Sequence, residues 1–174
     1  QPKTKISKTK RYSDQNKLLS IISQQTLSIF KPHDKIYSVV KKFVDRILAA
    51  DSDGEIALQA WHFKQSLPAK LQHKISLQLI KKLGIFNLLG WLAYTVYDHI
   101  QDRELPASYI NIANLAMRQL SQMLINLCNG NVDLLKACNQ LLAQMDISNF
   151  QELNWQAKIV KIAKTDEKTL IINL

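Results

Sequence analysis

Glycine and proline are both scarce, with four of each in 174 residues. A collagen-like or Pro/Gly low-complexity chain needs many more, and a composition of 47% hydrophobic and 21% charged residues also excludes wholesale disorder. The two cysteines, Cys128 and Cys138, are too few for a secreted disulfide scaffold, and they form no Cys-x-x-Cys zinc knuckle. They flank a turn at Gly130 where they could approach one another, but the reading from sequence is two small buried thiols, free in a reducing compartment. A cytoplasmic location is the corresponding expectation. The four histidines include no i, i+4 zinc pair, and no H-E-x-x-H, glycine-rich phosphate loop or G-x-S-x-G occurs. No catalytic residue is assigned from such motifs. The chain opens on Gln1-Pro2 rather than Met, as a trimmed chain would, and shows no signal-peptide pattern.

Acidic residues are missing from the first eleven positions, which carry Lys3, Lys5, Lys8, Lys10 and Arg11. This stretch holds more than half of the formal charge of +9, because the other 163 residues carry 18 bases against 14 acids. Residues 1–12 therefore read as a basic, flexible arm, suited to nonspecific attraction toward an anionic membrane surface or another phosphate-rich partner. Lys158, Lys161 and Lys164 form a second basic edge, read as a solvated face. Nucleic-acid binding is disfavoured, since no basic and aromatic stacking platform or recognised DNA-binding motif accompanies these lysines.

Between the breakers, apolar residues recur three and four apart, so residues 13–174 read as a single all-α domain. The first helix is expected after Ser13 or Asp14 and ends before Pro32. The second spans about 35–50, with Ile36, Val39, Val40, Phe43, Ile47 and Leu48 on one stripe. Asp51-Ser52-Asp53-Gly54-Glu55 does not fit a calcium loop, whose Gly and bidentate Glu belong at positions six and twelve. Ser52-x-x-Glu55 matches a capping box for a third helix over 55–67. A fourth is expected over 68–83, ended by Gly84, and a fifth over 85–104. The uncharged run from Leu83 to Tyr97 has 15 residues, short of the ~20 that cross a bilayer, so the fifth helix reads as the buried centre of the fold. Three more follow at about 106–128, up to Met145, and 151–164.

The candidate site lies near the end of the fifth helix. Asp98 and Asp102 are four apart, so their carboxylates share a face one turn from each other. Their repulsion is relieved by a cation, and Mg²⁺ suits oxygen ligands of this kind while bridging to substrate phosphates. Emergence of both side chains into solvent beside Arg103 is the competing reading.

The run Gly90-Trp91-Leu92-Ala93-Tyr94-Thr95-Val96-Tyr97-Asp98-His99-Ile100-Gln101-Asp102 resembles the central helix of class I isoprenoid synthases, the polyprenyl diphosphate synthase group, with their aspartate-rich DDxxD motif. The resemblance extends over about residues 50–120. It implies a helical bundle like the N-terminal part of that fold, with Asp98 and Asp102 as ligands of Mg²⁺ that holds a prenyl diphosphate, and with His99 at the supporting aspartate. It implies that Tyr94 and Ala93 form the floor limiting prenyl length, and an aromatic at Tyr94 restricts the channel to a short chain. Asn87 and Trp91 lie further up the same face; packing of a buried helix explains these aromatics equally well. The activity implied is Mg²⁺-dependent prenyl diphosphate transfer or lysis.

Two parts of the family pattern are absent. The basic Gly-Gly-Lys-Arg-type motif corresponds to Asp53-Gly54-Glu55-Ile56, which has no base, and no D-x-x-x-D follows Asp102. The chain is thus expected to be an N-terminal portion of a longer enzyme or a degenerate relative. The alternative function is a non-enzymatic helical interaction module, pairing as a homodimer or with a complementary chain through apolar faces.

Overall fold

The structure is a computed structural model that describes the backbone of residues 8–172 and the side chains of residues 14–155. Its described residues are helical and contain no strand. The helices are α1 (Lys8–Ser28), α2 (Asp34–Ala50), α3 (Gln59–Ser66), α4 (Ala69–Gln72), α5 (Leu77–Gln101), α6 (Ile110–Cys128) and α7 (Val132–Ile172), with a 3₁₀ turn at Ala107–Tyr109 before α6. They form two compact units, Gln1–Leu124 and Ile125–Leu174.

In the first unit α5 is the hub, contacted by α1, α2, α3 and the 3₁₀ turn. Its buried residues, Ile80, Gly84, Ile85, Leu88, Leu89, Leu92, Ala93 and Val96, point in several directions around the helix, as expected of a helix packed on more than one side. By length and composition alone α5 is apolar enough to cross a membrane. Buried alongside those residues of α5 in this unit are Leu18, Ile22 and Leu27 of α1, Val40, Phe43, Val44 and Ile47 of α2, and Ala113, Ala116 and Leu120 of α6. Thr26, also fully buried in α1, satisfies its hydroxyl by donating to the Ile22 carbonyl at 2.9 Å.

Gly84 does not end a helix. α5 runs straight through it from a start at Leu77, where Ser76 caps the first turn by accepting a hydrogen bond from the Leu79 amide at 3.1 Å. The glycine is there for packing: a Cβ on it would lie 2.6 Å from the Ala57 carbonyl oxygen and 2.6 Å from Ile22 Cδ1. Its intrinsic helix penalty of about 1 kcal/mol is outweighed by the close approach it permits. The helix expected over 68–83 is correspondingly short, reduced to α4 before the chain turns at His73–Ile75.

The capping box at Ser52 and Glu55 is not formed either. Asp51 does that work, being buried at 7% exposure and accepting hydrogen bonds from the Ile56 amide, at 3.1 Å to each carboxylate oxygen, and from the Ala57 amide at 3.2 Å. A carboxylate reaches these two free amides where the shorter Ser52 hydroxyl, one residue later, does not. The segment they belong to, residues 55–58, is a turn, and α3 begins only at Gln59.

α5 stops at Gln101 rather than 104 because Arg103 adopts a left-handed conformation (φ 62°), letting the amides of Glu104 and Leu105 return to the His99 carbonyl at 2.8 and 3.0 Å. Glycine is the usual signal for such a stop, and here arginine fills the position. α1 begins at Lys8, so residues 8–12 of the expected arm are helical, whereas residues 1–7 lie outside the described residues.

In the second unit α7 is one helix where two were expected. No glycine or proline follows Gly130, and the polar stretch Asp146–Asn149 is compatible with helix, so nothing interrupts it. The side chains of Lys158, Lys161 and Lys164 lie outside the described residues.

Three substitutions test these local causes. Asp51→Ala strands the Ile56 and Ala57 amides and is expected to lower stability by about 1–3 kcal/mol, while Ser52→Ala changes it by less than about 0.5 kcal/mol; urea unfolding monitored by circular dichroism measures both. Gly84→Ala is expected to lose about 1–3 kcal/mol through overpacking against the immobile Ala57 carbonyl, despite the better helix propensity of alanine, and an unchanged or raised midpoint would show that the approach is not tight.

Candidate functional site

Where α2 crosses α5 the two helices leave a groove of about 210 Å³. One wall is Phe43, Arg46, Ile47 and Ala50 of α2, the other is Trp91, Thr95 and His99 of α5, and Ile56 from the Asp51-capped turn closes one end. The spacing explains the walls. Residues 91, 95 and 99 are successive i, i+4 positions, as are 43 and 47, so each set lines up along its helix. The lining is mostly apolar, and its volume lies below the roughly 300–1,000 Å³ of pockets for drug-sized ligands, so it suits a short chain.

Polar groups stand at defined places along it. His99 is held by a hydrogen bond between Nδ1 and the Thr95 carbonyl at 2.7 Å, packs edge-on against Phe43 with ring centroids 6.4 Å apart, and places Nε2 3.5 Å from a Glu104 carboxylate oxygen. Because a carbonyl can only accept, this bond assigns the proton to Nδ1 and leaves Nε2 facing Glu104. Arg46 is exposed, and among the described residues none pairs with its guanidinium. The neighbouring acid, Asp45, is taken by Lys41 at 2.6 Å, an exposed pair whose hydrogen bond and charge hold the Lys41 ammonium above its usual range.

Asp98 and Asp102 are both exposed at the end of α5, Asp102 as the residue that terminates the helix, its amide bonded to the Asp98 carbonyl at 2.8 Å. At about 100° per residue they lie roughly 20° to either side of the Trp91 direction, on the groove-bearing side of α5, about two and about three turns along the helix from Trp91. Asp98 engages a neighbouring group in addition. Neither aspartate is among the groove-lining residues. The helix end carries a partial negative charge of its own, so the two carboxylates and the dipole together favour a cation at this spot. Two carboxylates and no cluster of three or more His, Cys, Asp or Glu are available among the described residues. Two carboxylates are oxygen donors of the kind that Mg²⁺ accepts, and any ion held by them alone would need water or ligand oxygens to complete its shell.

The other residues singled out from sequence have different surroundings. Ala93 is fully buried in the core, about 200° around the helix from Trp91. Tyr94 is half-buried and packs edge-on against Tyr97 at 6.3 Å. Neither is among the groove-lining residues. Asn87 donates to the Ile56 carbonyl at 3.1 Å and the Gln59 side chain at 3.2 Å, tying the turn before α3 to α5. Trp91 and His99 are the two that the fold brings to the groove. From sequence, Phe43 belongs only to the apolar stripe of α2 and Arg46 is not singled out at all, because nothing in that stripe tells of the facing groove.

In the second unit, Cys128 is buried at the end of α6 and Cys138 is half-buried in α7. Burial and the neighbouring Cys138 push the Cys128 thiol up, above its ordinary value of 9.0.

No family model matches this chain, and neither does any curated protein or solved structure.

Proposed function

We propose that the α2–α5 groove is a binding site for a short prenyl diphosphate, with Asp98 and Asp102 holding the Mg²⁺ that accompanies the diphosphate. The observation that carries this reading is the arrangement along α5: Trp91, Thr95 and His99 line the groove, and both carboxylates emerge on the same side of that helix near its end. In this reading the apolar chain lies against Phe43, Ile47, Ala50, Ile56 and Trp91, and the limited volume restricts its length. His99, fixed by Thr95 and Phe43, stands between chain and head. Arg46 offers a guanidinium that no carboxylate among the described residues engages, able to meet a phosphate oxygen through two parallel hydrogen bonds. Bound Mg²⁺ would neutralise the diphosphate and stabilise charge on a departing oxygen.

Binding is the activity assigned; Mg²⁺-dependent transfer or lysis would need further groups, since Asp53-Gly54-Glu55-Ile56 supplies no base for a second diphosphate. The likeness to class I isoprenoid synthases supports the reading through the spacing of Asp98, His99 and Asp102, and a cytoplasmic setting accords with two free thiols.

A second reading, a helical interaction module, is favoured by a separate observation. α7 exposes Leu134, Leu141, Met145, Phe150 and Trp155, each at 46% or more. Apolar side chains this numerous along one helix are the usual material of a helix-pairing surface, in a homodimer or with a complementary chain. Attraction of the basic N-terminal segment to an anionic membrane would act beside either function.

A thermal shift separates the two. A ligand at a hundred times its Kd is worth about 2.7 kcal/mol, roughly 5–10 °C in a chain of this size. Mg²⁺ with a five- or ten-carbon prenyl diphosphate is expected to raise Tm by that amount, and Asp98→Ala/Asp102→Ala to abolish the rise. Absence of any shift in the parent chain, together with concentration-dependent self-association, would favour the interaction module instead.

A further inference from the structure

The second unit contains a pair of thiols that the ligand reading leaves unused. Cys128 is the last residue of α6, and the chain reverses immediately after it through Asn129 (φ 46°) and Gly130 (φ 80°), both left-handed. The reversal is pinned on both sides. The Asn131 amide donates to the Cys128 carbonyl at 2.8 Å, and the Asn131 side chain caps α7 by accepting from the Leu134 amide at 2.9 Å. A two-residue reversal with a fixed entry to α7 brings the second turn of α7 back beside the end of α6. Cys138 stands in that second turn, near enough for its thiol to act on that of Cys128. Both are reduced, one buried and one half-buried.

We propose that Cys128 and Cys138 are a dithiol that closes to an intramolecular disulfide by exchange with a small-molecule disulfide of the glutathione type. Two thiols set on either side of a short, pinned reversal need little backbone movement to reach bonding geometry. The roles divide by access. Cys138, the more exposed thiol, attacks as thiolate on the oxidised glutathione disulfide; that bond breaks, one glutathione leaves as thiolate, and Cys138 carries the mixed disulfide. Cys128, after losing its proton to solvent, attacks Cys138 Sγ and expels the second glutathione. Two protein thiols are oxidised, one external disulfide is reduced to two thiols, and electrons and protons balance. Because burial favours the protonated Cys128 thiol, the second step is the slower one and accelerates as pH rises. The product ties the end of α6 to α7 across the short Gly130 turn, and closing a loop in the unfolded chain raises stability.

The sequence supplies a clean readout. Trypsin cuts after Lys136, so the two cysteines fall in separate peptides, 119–136 and 137–158, unless a disulfide joins them. The native full chain incubated with oxidised glutathione is expected to lose about 2 Da, to yield the joined peptide pair, and to unfold several degrees higher than the reduced chain, with all three effects reversed by dithiothreitol. Cys128→Ser is expected to stop at a stable glutathione adduct on Cys138, and Cys138→Ser to leave Cys128 at least tenfold slower to react. A persistent adduct on Cys138 beside an unmodified Cys128 in the parent chain, or disulfides only between chains, would overturn the proposal.

Discussion

Three segments meet at Gly84, one of the two positions in α5 where no side chain stands. At Gly84, Ile22 of α1 and the backbone carbonyl of Ala57 both approach to 2.6 Å from where a Cβ would be. The turn that brings Ala57 there is itself fixed from the other side, by the Asp51 carboxylate on the Ile56 and Ala57 amides. Asn87, one turn further along α5, takes the Ile56 carbonyl. The result is a clamp made of backbone and buried carboxylate rather than of long side chains, and close-packed interiors transmit such fixed points with little slack. The end of α2, the 55–58 turn and the middle of α5 are therefore held in one arrangement, and the groove is the space they leave.

The chemistry of the candidate site follows from where that clamp directs the two helices. α2 contributes an apolar wall plus one guanidinium, and α5 contributes an indole, a hydroxyl and an imidazole before it ends in acid. Negative charge is concentrated at the end of α5 by Asp98, Asp102 and the helix dipole, with Glu104 just beyond. An anionic ligand is attracted to such an end only in company with a cation, whereas Arg46 sits on the opposite wall and needs none. A polyanion carrying its own divalent ion and a short apolar chain answers all of these features, which is why the prenyl diphosphate reading is preferred for this groove.

Much of the fold is legible from apolar spacing. The all-α class and the central role of the fifth helix follow from a chain with few breakers and a nearly uncharged apolar stretch, and the second helix lies within a residue of its expected span, Asp34–Ala50. The misreadings arise where a tertiary contact overrides a local signal. Gly84 reads as a break because isolated glycine weakens a helix, and only the arrival of Ile22 and Ala57 explains its place inside one. Ser52 and Glu55 have the right letters for a cap, but the buried Asp51 carboxylate organises this turn instead, through the Ile56 and Ala57 amides. Arg103 ends α5 in a conformation that its residue type does not announce. For the site, the i, i+4 relation of Asp98 and Asp102 and the placement of Trp91 and His99 are helical arithmetic, readable in advance. Arg46 and Phe43 belong to the groove only because α2 crosses α5 there, and no motif encodes a crossing.

The central claim is that a ligand lies in the groove against Trp91 while its head engages the Asp98 and Asp102 end of α5. Trp91 is 53% exposed and reports occupancy by its own fluorescence, isolated by replacing Trp61 and Trp155 with phenylalanine. The measurement is a titration of this single-tryptophan chain with a five- or ten-carbon prenyl diphosphate, with Mg²⁺ and with chelator. The account predicts a saturable blue shift in Mg²⁺, weakened at least tenfold by chelator or by Asp98→Asn/Asp102→Asn. A tryptophan that ignores the ligand, or a shift indifferent to both magnesium and the aspartates, contradicts it.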